Sequence, residues 1–325
     1  MGWWLWALGA VLAGGLALWV ISFVVEALRP VPPTPKALRW APDIESGFVS
    51  VRLADAGDVK LRFIKAGSGP IIVLLHTLRT QLDLFERLVP DLAKHFTVYA
   101  LDYPGHGYSD IPRVRYDAAL FADAVQKFLE TLDLRGVTLA GVSIGGVIPL
   151  VLAAHGDPRV ARVVSINPYD YDKGRGLARS SLVGWIITYA TLIPVVGETV
   201  MRLRSFMVMG PILRGGVADG GNISPELMAD LYRTGNRPWH YRAFISLIRN
   251  AASWERAQNV YAGVDVPALL IWGDQDWSAS AERARTHTLI PKAATKTIAG
   301  AGHFLPLDQP RQLLELIVGF AGAAA

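Results

Sequence analysis

The chain has 325 residues, 51% hydrophobic and 18% charged, with a mean hydropathy of +0.29, which is enough for a folded core and too apolar for a disordered tail. It holds no cysteine, which excludes disulfide staples, thiol nucleophiles, zinc knuckles and cysteine-ligated iron–sulfur clusters. The net charge of +4 is mildly basic, but no Lys/Arg run with interleaved aromatics occurs, so nucleic acid is not an expected partner. From Gly2 to Val25 the chain is free of charged residues, and as a helix this stretch would rise about 36 Å, enough to cross a bilayer core. Trp3, Trp4 and Trp6 lie at one end, where indoles favour the headgroup region, and Glu26, Arg29, Lys36 and Arg39 follow the other. Segment 1–28 is therefore expected to be a retained transmembrane anchor rather than a cleaved signal peptide, because no Lys or Arg precedes Arg29 to form a basic leader. The basic C-terminal flank places the rest of the chain on the cytoplasmic side. Residues 29–43 are proline-rich and expected to form an extended linker.

Beyond the linker, Phe48 to Leu53 and Val59 to Lys65 alternate in hydrophobicity around Asp55-Ala56-Gly57-Asp58, the pattern of a hairpin. Buried-type runs follow at Ile71–Leu75, Phe96–Leu101, Val137–Ala140, Val160–Ile166, Pro267–Trp272 and Thr295–Ala299. Amphipathic stretches at Leu82–Leu92, Asp117–Leu132 and Gly146–His155 separate several of them and predict helices. Such alternation implies a doubly wound α/β sheet. Between Asn167 and Gly263 no buried strand is evident. The expected division is thus a core of 44–168 and 264–325 interrupted by a helical insertion, 169–263, whose apolar start at Leu182–Gly197 reads as a buried or interfacial helix.

The chemistry centres on Val137-Thr-Leu-Ala-Gly141-Val-Ser143-Ile-Gly145-Gly146, where an apolar strand runs through G-x-S-x-G into a helix. A serine on so tight a turn needs glycines two residues before and after it, and the helix N-terminus behind it favours developing negative charge. A serine also needs a base, and His303 stands in the glycine turn after the last apolar strand. For an acid to orient that histidine, Asp276 at the end of the Leu269–Gly273 strand is favoured. Its neighbour Asp274 is expected to bind turn amides, and Asp170 and Asp172 are alternatives. No metal-ligand spacing and no nucleotide-binding glycine motif occurs, so neither a metal nor a cofactor is expected.

From about Ile44 to Phe320 the chain resembles the α/β-hydrolase superfamily. The resemblance is carried by the His76 turn, the Leu101-Asp102-Tyr-Pro-Gly105-His106-Gly107-Tyr-Ser109 loop, the Gly141–Gly146 elbow, the Trp272–Asp276 segment and Gly302-His303. It implies an eight-stranded, mostly parallel sheet with a cap, and a serine hydrolase with the triad Ser143, Asp276 and His303. It also implies an oxyanion hole of the Ile144 and Leu78 N–H groups. One departure stands out: Thr77 replaces the glycine usual after His76, and a β-branched residue does not freely adopt positive φ. Thr77 and its neighbour Arg79 are possible substrate-binding residues, Arg79 for a carboxylate or phosphate, although Arg79 could instead pair with Asp83. Serine at the elbow, where dehalogenases and epoxide hydrolases of the superfamily resemble one another in having aspartate, argues against their chemistry. The expected function is a membrane-anchored, lipase-like carboxylesterase acting on a lipid-like ester such as a monoacylglycerol or lysolipid. Its rivals are a C–C bond hydrolase of aromatic degradation and a non-catalytic membrane scaffold.

Overall fold

The first helix is apolar all the way round, so it has no face to bury against a core. In the computed structural model, which describes residues 2–322, it runs over α1 (Trp3–Ala27) and keeps almost its whole surface exposed; only Ser22 and Glu26 are buried. Among the described residues it is the one helix long and apolar enough to cross a membrane. An extended stretch leads from it to a nine-stranded sheet, β1 (Ala37–Leu38), β2 (Ala41–Leu53), β3 (Gly57–Ala66), β4 (Ile71–Leu75), β5 (Thr97–Leu101), β6 (Val137–Val142), β7 (Val160–Ile166), β8 (Ala268–Gly273) and β9 (Ala294–Ile298). The order is β1-β2-β3-β5-β4-β6-β7-β8-β9, antiparallel as far as β5 and parallel from β5 to β9.

Strands β2–β9 form the eight-stranded, mostly parallel sheet that the sequence predicts. The ninth was not expected: β1 arises inside the proline-rich stretch 29–43, where Leu38 is buried and pairs its backbone with β2, so the spacer extends only to Lys36. Alternate residues of the central strands divide the core in two. Val73, Leu75, Leu139 and Tyr99 face one cluster with Phe121, Phe128 and Ile148, whereas Ile72, Leu74, Val98 and Ala140 face another with Val89, Leu313 and Ile317. The predicted helix over 82–92 is not continuous. It splits into a 3₁₀ turn at Leu82–Phe85 and α2 (Val89–Leu92), because Pro90 lacks an amide hydrogen and its ring would clash with the carbonyl one turn back.

Helices α3 (Ala118–Thr131) and α4 (Ile144–Ala154) follow, the latter buried along its length. Between β7 and β8 the chain forms α5 (Leu182–Leu192), α6 (Val196–Arg202), α7 (Phe206–Arg214), α8 (Pro225–Gly235), α9 (His240–Arg249) and α10 (Ala252–Arg256). Ser181 caps α5 by accepting from the Gly184 N–H at 3.0 Å, and Pro194 follows the helix end. This cap touches α1: the Arg202 guanidinium lies 3.8 Å from the centre of the Phe23 ring. The fold closes with α11 (Ser280–Leu289), α12 (Leu305–Asp308) and α13 (Pro310–Ala321).

Candidate active site

The turn between β6 and α4 holds Ser143 at φ 62° and ψ −120°, a conformation that a non-glycine residue adopts only under constraint from its surroundings. The constraint is steric. A Cβ on Gly141 would lie 1.9 Å from the Gly145 carbonyl oxygen, and one on Gly145 would lie 2.3 Å from that of Leu75. Only glycines let the backbone close this tightly around the serine.

His303, on the loop after β9, accepts the Ser143 Oγ–H at Nε2 over 2.7 Å. Its Nδ1–H donates to Asp276 Oδ1 at 2.5 Å. Burial pushes the Asp276 carboxyl up, but the facing imidazole and hydrogen bonds from His303 and from the Ser278 side chain and amide outweigh it and hold the carboxyl below its usual range. The other carboxylates weighed in the sequence are occupied elsewhere. Asp274 Oδ1 accepts from the Ala301 N–H at 3.2 Å, and Asp172 pairs with Arg179 at 3.1 Å. Asp170 accepts from Thr286 Oγ1 at 3.0 Å within a fully buried pocket, where desolvation drives its carboxyl up to about 7. Ser143 and His303 are both 0% exposed.

Three further residues, unnoticed in the sequence, hold this line of groups in place. Asn167 donates through Nδ2 to the carbonyls of Gly302 and His303, both at 3.0 Å, and accepts the Gly273 N–H at 2.9 Å, joining the histidine loop to the end of β8. It sits at φ 45° at the strand end, a conformation that asparagine tolerates. Ser278 hydrogen-bonds Asp276 Oδ2 through both its hydroxyl and its amide. The Trp277 indole stacks on the His303 ring at 3.8 Å and 12°, and its Nε1–H donates to Gly215 O of the cap at 2.8 Å.

The loop after β4 resolves the question raised by Thr77. Its left-handed residue is Arg79, at φ 63°, so Thr77 needs no positive φ. The Thr77 carbonyl accepts from His76 Nδ1 at 2.7 Å and from the Thr80 amide and hydroxyl, which closes the turn. Among the described residues the N–H groups of Leu78 and Ile144 have no protein acceptor. The alternative ion pair between Arg79 and Asp83 does not form: Asp83 accepts from Trp40 Nε1, Gln81 Nε2 and Arg62. Arg79 instead donates to Gly235 O at 3.0 Å and to His240 Nδ1 at 2.8 Å, both from the cap. His76 and His106 are buried nearby, and desolvation lowers them to about 4 and about 3, so both are neutral. Among the described residues no group of three or more His, Asp or Glu side chains is placed to hold a metal ion.

Comparison with known proteins matches residues 70–193 to the family model described as the alpha/beta hydrolase fold. The chain is 27% identical over 303 residues to a 2-(acetamidomethylene)succinate hydrolase of Mesorhizobium japonicum, covering 87% of this chain and 99% of that protein. It is 28% identical over 290 residues to a haloalkane dehalogenase of Psychrobacter cryohalolentis, covering 82% of this chain and 89% of that one. Among solved structures, Cfl2 from Burkholderia cenocepacia superposes with a TM-score of 0.76 at 23% identity, over 89% of this chain and 99% of Cfl2. A mostly parallel sheet, a serine elbow after β6 and these similarities agree: the chain has the α/β-hydrolase fold.

Proposed function

We propose that the protein is a membrane-anchored serine hydrolase cleaving a carboxylic ester, lipid-like in the manner of a monoacylglycerol or lysolipid. Ser143 attacks the carbonyl while His303 takes its proton, and the imidazolium then delivers that proton to the leaving alcohol. Asp276 fixes the tautomer of His303 and compensates its positive charge. The Ile144 and Leu78 N–H groups receive the oxyanion of the tetrahedral intermediate, and a water activated by the same histidine releases the acid. The observation that carries this reading is the unbroken hydrogen-bonded line from Ser143 through His303 to Asp276, buried from water. Such a site does not suit dehalogenation: alkylating a serine would leave an ether, which water does not hydrolyse as it does the ester formed on a carboxylate.

The lipid-like substrate rests on the membrane side of the molecule. Leu182, Trp185, Ile186 and Tyr189 of α5, Ile193 and Val196 beyond it and Met207 of α7 are exposed on the cap that α1 contacts. Retention of α1 as an anchor is supported by Glu26, which is buried against cap residues as a removable leader would have no reason to be. A cytoplasmic hydrolase domain is supported by the basic residues Arg29, Lys36 and Arg39 after the span.

The test is labelling of the full chain in detergent with a fluorophosphonate, followed by hydrolysis of p-nitrophenyl esters of increasing acyl length. Wild type should label, Ser143→Ala and His303→Ala should not, and each substitution should lower kcat by about 10⁴-fold or more. Absence of labelling in folded wild type rejects the serine-hydrolase reading, and preference for acetate over long acyl chains rejects the lipid-like substrate.

A further inference from the structure

The end of α1 reaches the loop after β4 through an unbroken series of buried contacts. Glu26 Oε2 accepts from Arg204 Nη1 at 2.7 Å and from Arg29 Nε at 2.9 Å, and Glu26 Oε1 accepts the Trp239 N–H at 2.7 Å. Arg204, whose side chain is wholly buried, donates in turn from Nε to Gly235 O at 3.0 Å. The same carbonyl receives Arg79 Nη1 at 3.0 Å. Gly235 is the last residue of α8, and a Cβ there would lie 3.0 Å from the Arg79 guanidinium carbon, so the close approach depends on glycine.

The charges make this junction sensitive. Arg29 and Arg204 share the single carboxylate of Glu26, and both cations act on Arg79, which meets Arg204 at the Gly235 carbonyl. Burial, followed by the Arg204 and Arg29 cations, pushes the Arg79 guanidinium well below its usual range, and burial lowers Arg204 to about 10 despite its partner. With Glu26 neutral, three guanidinium groups would face one another without a countercharge in a region closed to water. Arg79 sits in the left-handed conformation one residue after Leu78, so a shift of its guanidinium bears directly on that turn.

We propose that Glu26 is a positioning residue for the 77–80 loop, acting through Arg204 and the Gly235 carbonyl on Arg79, so that docking of the membrane helix on the cap sets the direction of the Leu78 N–H. The coupling itself stands on the contacts alone, and its catalytic consequence rests on the reading of Leu78 as an oxyanion donor.

The experiment compares the full-length wild type with Glu26→Gln and Glu26→Asp in the same detergent. Backbone hydrogen exchange is read over residues 77–82, and p-nitrophenyl ester kinetics are normalised to the fraction of serine titrated by fluorophosphonate. In Glu26→Gln, exchange in 77–82 should rise at least about tenfold and kcat should fall about tenfold with KM within about twofold, a split expected when a transition-state donor is misaimed. Glu26→Asp should recover most of both. Wild-type exchange in a folded Glu26→Gln overturns the proposal. Loosened exchange in Glu26→Gln together with a wild type that turns over no ester upholds the coupling and rejects the oxyanion role of Leu78. Should Glu26→Gln fail to fold, Arg204→Lys, which keeps the charge but loses the Nε–H donated to the Gly235 carbonyl, carries the test: loosening of 77–82 supports the proposal, and unchanged exchange overturns it.

Discussion

Asn167 holds the loop of His303, the base in the proposed mechanism, to the end of β8. Its amide bonds two carbonyls of the histidine loop and one amide at the end of β8, all buried. Asn167→Ala would leave these groups without partners, a loss of about 1–3 kcal/mol for an unsatisfied buried polar group. Thermal unfolding should show that loss, and ester kinetics a kcat about tenfold lower with a smaller change in KM. Asp170 lends itself to a pH test. Its folded value near 7 lies above the usual carboxylate range, so the folded state binds the extra proton and stability falls as pH rises from about 4 to about 7. The neutral, lowered His76 and His106 act in the opposite sense, losing stability as pH drops below about 6.5, so the comparison must be with a variant. Relative to wild type, the change in melting temperature on going from pH 5 to pH 8 should be shifted toward greater stability at pH 8 in Asp170→Asn, and an unchanged pH dependence would rule out a raised Asp170. At this scale, the meeting of Ser143, His303 and Asp276 in one hydrogen-bonded line was legible because glycine spacing and chain order constrain them. Asn167, Ser278 and Trp277 were not, because their roles arise from contacts made only once the loops have closed.

The strands were the most readable elements, since a two-residue period and apolar runs bounded by turns survive without tertiary context. Two features escaped that logic. The Leu82–Leu92 pattern has helical spacing, yet Pro90 breaks it, and β1 lies in a proline-rich stretch whose composition argues for a spacer but whose Leu38 is drawn into the core. The arrangement of cap helices was beyond reach, because short amphipathic segments do not reveal their neighbours. Their exposed apolar side chains nevertheless make a definite prediction. Trp185 is 52% exposed on α5, and in proteoliposomes containing brominated acyl chains its fluorescence should be quenched. The difference in quenching between wild type and Trp185→Phe measures this directly, and identical quenching would put that face of α5 in water.

For the molecule as a whole, nine residues, 28–36, join the end of α1 to β1, a reach of about 28 Å when extended at about 3.1 Å per residue. Arg29 shortens it further by donating to the carbonyls of Arg202 and Arg204 at 2.6 and 3.0 Å. Under the proposed anchoring, an enzyme on so short a leash would search a surface rather than a volume. With the protein reconstituted in vesicles and the total amount of a long-chain ester fixed, adding inert phospholipid should slow turnover in proportion to the falling mole fraction of substrate, whereas a short water-soluble ester should be hydrolysed at an unchanged rate.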